Sequence, residues 1–200
     1  MVSSFMSAAE LRNIGFKSIG INVNISKKIS IYNPEFISIG NNVRVDDFCI
    51  LSASNNGITI GNYVHITAYV VIAGGESILL EDFTAIGAHS CIYSSNDDYS
   101  GGSMTNSMID TIYKKVHMAA VLIKKHTIIG SHTTILPGVT IGEGVAVGSH
   151  SLVKSDLNSF GIYCGVPAVF LKKRKKKLLV LEKTFSTKNK RINSGNRINL

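Results

Sequence analysis

The chain places an aliphatic residue on every sixth position over most of its length, in groups of three: Ile19, Ile25, Ile31; Ile39, Val45, Leu51; Ile60, Ile66, Ile72; Leu80, Ile86, Ile92; Ile123, Ile129, Ile135; Ile141, Val147, Val153. A short fixed period with one inward aliphatic predicts a parallel β-helix, because each turn buries its apolar residue only by stacking on the same residue of the next turn. Three six-residue sides then make one coil. Four residues after twelve of the eighteen teeth comes a small or β-branched Val, Thr, Ser or Cys: Val23, Val43, Cys49, Val64, Val70, Thr84, Ser90, Thr127, Thr133, Val139, Val145 and Ser151. These suit tight corners. Glycine follows the aliphatic at Gly20, Gly40, Gly61, Gly87, Gly130, Gly142 and Gly148, where a bend is expected to need little bulk and an unusual φ. A β-sandwich would also satisfy period two, but no hairpin signal such as Asn-Gly interrupts the phase from Ile123 to Val153.

The pattern divides the chain into a cap (1–18), a helix (19–170) and a tail (171–200). Ser7-Ala8-Ala9-Glu10 has capping-box spacing and Gly15 can end the short helix that follows, which would plug the open first coil. Slack of two or three residues where 31 meets 39, 51 meets 60 and 72 meets 80 is expected at one corner. Between Ile92 and Ile123 the comb breaks, giving an insertion at 93–122. A loop that long in a compact domain is functional or disordered, and we read it as an ordered arm reaching a neighbouring subunit. Residues 171–186 have the makings of a helix, and the terminal SGNRINL reads as disordered.

The segment IKKHTIIGSHTTILPGVTIGEGVAVGSHSLVKSDLNSFGIYCGVPAVF, from Ile123 to Phe170, resembles the C-terminal signature of the galactoside and maltose acetyltransferase branch of the hexapeptide-repeat acyltransferases; LPGVTIG and GVPA are its specific elements. The loop YSSNDDYSGGSMTNS is similar to that of bacterial surface-polysaccharide acetyltransferases acting on sugars. The resemblance spans about residues 19 to 175. It implies an all-β, left-handed parallel β-helix, a homotrimer, and acetyl-CoA as donor to a sugar or nucleotide-sugar in lipopolysaccharide or O-antigen synthesis.

Composition adds bounds. No long apolar run and no basic-then-apolar leader appear, so the chain reads as one soluble, uncleaved, cytoplasmic protein. Cys49, Cys91 and Cys164 lack CxxC spacing and read as reduced core thiols. The net charge is +8; residues 171–200 hold eleven Lys and Arg against Glu182, which is +10, leaving −2 for the rest. That run could touch an anionic membrane surface weakly. Without interleaved aromatics or a recognition helix it does not read as a nucleic-acid binder.

The resemblance implies cofactor contacts at Ser131, Ser149, Lys154 and Lys172. Val169 stands where the family often has a basic residue, so phosphate binding is expected to fall to Arg174 or its neighbours. In the galactoside branch the catalytic His lies five residues past the aliphatic equivalent to Ile92. Here that slot holds Asp97, a far weaker base than an imidazole. The replacement we assign is His65, one residue off the inward tooth and so facing outward, with Asp97 or Asp98 orienting it or the acceptor. Thr67, Asp98 and Tyr99 complete the expected acceptor site. An amine acceptor would relax the need for a base, because the neutral nitrogen attacks a thioester unaided, whereas a hydroxyl must lose its proton as it attacks. Both N- and O-acetylation stay open.

A rival of another class comes from His89, His132 and His150, each three residues past the second aliphatic of its coil and expected to stack as a ladder. Hexapeptide β-helices include zinc carbonic anhydrases, yet rungs that point the same way are poor tetrahedral ligands, and no metal is expected. A structural or ice-binding solenoid is disfavoured because Thr127, Thr133, Thr134 and Thr140 are too few to form a flat ladder.

Overall fold

The computed structural model describes residues 4–195. Its strands form three parallel faces of a prism, each coil adding one strand to each face. The first face runs Ser18–Ile19, Ile37–Ile39, Ile58–Ile60, Ile78–Leu80, Val121–Ile123 and Thr140–Ile141. Asn24–Ile25, Arg44–Val45, His65–Ile66, Ala85–Ile86, Ile128–Ile129 and Ala146–Val147 make the second. Ser30–Tyr32, Ile50–Ser52, Val71–Ala73, Cys91–Tyr93, Thr134–Ile135 and Leu152–Val153 make the third. Ladder partners lie in register with the comb: Ile39 pairs with Ile60, Val45 with Ile66 and Ile92 with Ile135.

Every tooth of the comb is buried except Ile19 and Ile31, which are partly covered in the first, open coil. The core is therefore three aliphatic columns, and burying one Ile or Leu side chain contributes about 1.5–3 kcal/mol. Of the second set, all but Val23 are buried. The polar ones are satisfied inside: Thr127 Oγ1 donates to Gly142 O at 3.2 Å and Ser90 Oγ to Gly130 O at 3.1 Å.

The corners depart from the expectation about glycine. The glycines that follow the aliphatics do not have positive φ; a Cβ on Gly20 would lie 2.5 Å from Gly40 O, so close stacking of successive coils is what excludes a side chain. Left-handed backbone falls instead on larger residues two positions on. Asn22, Asn42, Tyr63, Phe83 and His126 take it between the first and second faces, and Phe48, Tyr69, His89, His132 and His150 between the second and third. For Phe, Tyr and His this costs about 1–2 kcal/mol relative to the right-handed region, which ring stacking offsets, whereas Asn22 and Asn42 hydrogen-bond to each other at 2.8 Å. Phe48, Tyr69, His89, His132 and His150 form one continuous pile, with the four His and Tyr rings 4.6–4.7 Å apart and within 4–6° of parallel.

The extra residues do collect at one corner, between the third and first faces, as a 3-10 turn at Pro34–Phe36, the turns around Gly57 and Gly74, and the long insertion. The insertion is ordered. Ser95–Asn96 pairs antiparallel with His117–Met118, Asp110 caps a 3-10 turn at Thr111–Tyr113, and Ser94, fully buried, donates to Glu76 O at 2.6 Å to anchor the root.

At the open end, helix α1 (Ala8–Asn13) starts on the expected capping box: Ser7 Oγ accepts from Glu10 N at 3.2 Å and Glu10 accepts from Ser7 N at 2.6 Å. Leu11 plugs the coil, and Gly15, at φ 86°, follows the helix. At the other end the chain differs from the expected helix over 171–186. Gly161–Cys164 joins the second face, the chain turns, and Val169–Lys173 returns antiparallel to it as a strand. Helix α2 then runs Lys177–Gly195. It lies over the first corner ladder, where Phe185 meets Tyr63 and Phe83 edge-on and Glu182 accepts from Lys125 at 2.5 Å and His126 at 2.8 Å. Ser194 and Gly195 thus belong to a helix, while the rest of the segment expected to be disordered, 196–200, lies outside the described residues. Cys49 is a core thiol, pushed up to about 11 by burial; Cys91 and Cys164 are half-buried on outer faces instead.

Candidate active site

Two polar clefts lie where the comb fails, one at the insertion and one past the last coil. The arm forms one cleft of about 640 Å³, lined by Asp97, Asp98, Tyr99, Lys115, His117 and Met118 among others. Its local fold explains its charge state. Asp98 accepts from Ser100 N at 2.8 Å and Ser103 Oγ at 3.0 Å, and the Ser100 and Ser103 hydrogen bonds hold its carboxyl down at about 2. Asp97 is exposed and accepts from Asn106 N at 3.3 Å. Tyr99 is 92% exposed on the same loop.

Beside the root of the arm stands Tyr93, which periodicity does not single out because it lies next to the inward Ile92. Burial, then its hydrogen bond with Cys91 and the neighbouring Cys91 and Tyr99, push its phenol up to about 12. Tyr93 is therefore a neutral hydroxyl at working pH, able to donate to a sugar oxygen. The signal that could have found it is its place one residue past the tooth, on the last outward position before the insertion.

His65 faces outward from the second face, as its position in the comb requires. Its carboxylate partner is not Asp97 or Asp98 but Asp46, one coil below: Nε2 lies 2.8 Å from Asp46 Oδ2, and Arg44 Nε donates to Asp46 Oδ1 at 2.7 Å. Burial works against ionisation of Asp46, but hydrogen bonds from Arg44 and His65 outweigh it and hold its carboxyl below the usual range. Sequence spacing hides this pair, since the two residues are nineteen apart and meet only through coil stacking. Thr67, at the next corner, spends its hydroxyl on Ile86 O at 2.8 Å.

The expected cofactor contacts occupy the later coils. Ser131 and Ser149 stack on adjacent coils beside the histidine pile, with His150 N donating to Ser131 O at 2.9 Å. Lys154 and Lys172 are exposed, Lys172 on the returning strand opposite Ile162. Arg174 Nη1 donates to the carbonyls of His126, Gly144 and Val145 at 2.8–3.2 Å, tying the tail to the corner. A second cleft, of about 590 Å³, opens beside it between Phe160, Tyr163, Phe170, Lys173 and Lys176. Among the described residues, no three His, Cys, Asp or Glu side chains are grouped to hold a metal ion.

By fold, this is a solenoid of hexapeptide repeats carrying a polar arm on one corner. The model for "Bacterial transferase hexapeptide (six repeats)" matches residues 120–155. A dTDP-4-amino-4,6-dideoxy-D-glucose acyltransferase from Escherichia coli is 44% identical over 91% of this chain and 95% of its own length. The crystal structure of AntD, an N-acyltransferase from Bacillus cereus, in complex with dTDP and 3-hydroxybutyryl-CoA, is 50% identical, covering 94% of this chain and 100% of that one with a TM-score of 0.91. A variant of AntD in complex with dTDP-4-amino-4,6-dideoxyglucose and Coenzyme A matches with a TM-score of 0.90. The chain belongs to the hexapeptide-repeat acyltransferases. It is an acyltransferase, and the likeness to the Escherichia coli and Bacillus cereus enzymes covers 91% and 94% of the chain.

Proposed function

We propose that the protein transfers the acyl group of acyl-CoA, with acetyl-CoA as the donor we assign, to the amino group of a dTDP-linked 4-amino-4,6-dideoxy sugar destined for lipopolysaccharide or another surface polysaccharide. It does so as a homotrimer in the cytoplasm. The observation that carries this reading is the likeness, over 94% of this chain and 100% of the other, to an N-acyltransferase held with dTDP and 3-hydroxybutyryl-CoA.

The residues present suit these ligands. Lys172, Lys173 and Lys175 stand exposed at the end of the prism, where the phosphates of coenzyme A need charge. Lys154, Ser131 and Ser149 border the approach along the later coils. The acceptor is assigned to the arm, with Asp97 exposed toward an ammonium, Asp98 shaping the loop, and Tyr99, Tyr93 and Thr67 beside the sugar. Once the ammonium has lost a proton, the nitrogen attacks the thioester carbonyl, the C–N bond forms, and the C–S bond breaks to release the CoA thiol. His65, on the second face and so opposite the corner that bears the arm in one chain, takes the proton that the attacking nitrogen sheds where two chains of the proposed trimer meet.

A thiol-release assay tests the substrate. With dTDP-4-amino-4,6-dideoxyglucose, kcat/KM is expected to exceed that for the matching 4-hydroxy sugar by about a hundredfold or more, with acetyl-CoA and 3-hydroxybutyryl-CoA compared as donors. Equal turnover of the hydroxy sugar would favour a second reading, O-acetylation. The specific feature supporting that second reading is the carboxylate on His65, which an alcohol acceptor needs more than an amine does.

A further inference from the structure

We propose that Asp46 is a positioning residue for His65: it fixes the imidazole as the tautomer protonated on Nε2, so that Nδ1 carries the lone pair that takes the acceptor's proton, and Arg44 holds the carboxylate in place. The inference rests on the reading of His65 as the base.

Its geometry is a two-coil relay. Arg44 and His65 are ladder partners on the second face, so their side chains emerge one above the other. Asp46 follows at the corner, its backbone N donating to Ile66 O at 2.9 Å, which sets its side chain against both. One carboxylate oxygen meets His65 Nε2 at 2.8 Å and the other meets Arg44 Nε at 2.7 Å. An ionised carboxylate only accepts, so the proton of the His65–Asp46 bond belongs to Nε2. Asp46 is the covered member, 19% exposed at its side chain, whereas His65 is 45% exposed and so can meet a substrate.

The surroundings favour this use. Ala85, the partner of His65 on the coil above, carries no charge and little bulk. From the coil below, the charged groups facing it are Arg44 and Asp46, and the Phe5 ring lies 5.1 Å from the Arg44 guanidinium, packing that side chain in place. In the transfer, Nδ1 receives the proton from the attacking nitrogen or oxygen as the new C–N or C–O bond forms. It then returns that proton to the departing CoA sulfur as the C–S bond breaks. The imidazole ends as it began.

Two measurements test the assignment. Nitrogen-15 NMR of the wild-type protein at a pH where His65 is neutral should show its proton on Nε2; a proton on Nδ1 overturns the inference without any variant. Asp46→Asn, whose amide can instead donate to Nε2, should shift His65 toward the other tautomer and lower kcat by about tenfold to a hundredfold, with KM for both substrates within about threefold. If Asp46→Asn lowers only the melting temperature and leaves kcat intact while His65→Ala is inactive, Asp46 is structural and only this inference falls. If His65→Ala keeps full kcat, the base reading falls and takes this one with it.

Discussion

At the residue scale, the corners assign roles that side-chain size alone would reverse. Glycine stands where coils nearly touch, and Phe, Tyr, His and Asn stand where the backbone is left-handed. A Cβ on Gly87 would lie 2.5 Å from Ser131 N, an atom the stacked coil cannot move easily. Gly87→Ala should therefore cost about 1–3 kcal/mol, as other overpacking changes do, read from a urea titration; an unchanged midpoint would mean the coil spacing relaxes. At the site, His65→Ala should lower kcat by about a hundredfold or more. A loss of tenfold or less in steady-state assays removes it as the base. Asp97→Asn should raise KM for the acceptor more than for acetyl-CoA, and an unchanged acceptor KM argues against contact.

At the element scale, the histidine pile couples the corner to pH. Desolvation, and then repulsion from His150 and His89, hold His132 below its ordinary value of 6.5. As pH falls through about 6.5 the unfolded chain takes up this proton before the folded one does, so the stability this group contributes is present above that pH and is lost below it. Thermal melts at pH 7.5 and 5.5 should show a smaller acid-induced drop for His132→Asn, which still tolerates left-handed backbone, than for the wild type. An identical drop would place the acid sensitivity elsewhere. Helix α2 is a separate element, held to the first corner through Glu182 and Phe185. Glu182→Ala should speed tryptic cutting near Lys175–Lys177 while leaving the melt of the prism nearly unchanged, because partly exposed ion pairs contribute little to global stability.

At the scale of the whole molecule, stability is a sum over coils and the contacts between neighbours. Ile66 lies in the third coil, fully buried with columns above and below, whereas Ile31 lies in the end coil and is only partly covered. Ile66→Ala should cost about 2–5 kcal/mol and Ile31→Ala distinctly less in chemical denaturation. Equal losses would contradict a core built coil on coil. The same one-dimensional build gathers every insertion at a single corner, since a loop added elsewhere would break a face in register with its neighbours.

The prism is legible in the order of residues alone: the six-residue comb set which side chains point in, and Ser7 with Glu10 set the cap. The comb also made His65 an outward residue and 93–122 an insertion between coils, since both follow from phase. Which residues meet between coils emerges only once the coils are stacked. Asp46 reaches His65 because one turn of the chain brings residues nineteen apart to hydrogen-bonding distance. Arg174, Glu182 and Phe185 find their partners because the chain reverses after Tyr163 and lays α2 on the first corner. A local period records the direction of each side chain; the partner on the next coil depends on how many residues each corner inserts, and that is settled when the coils stack.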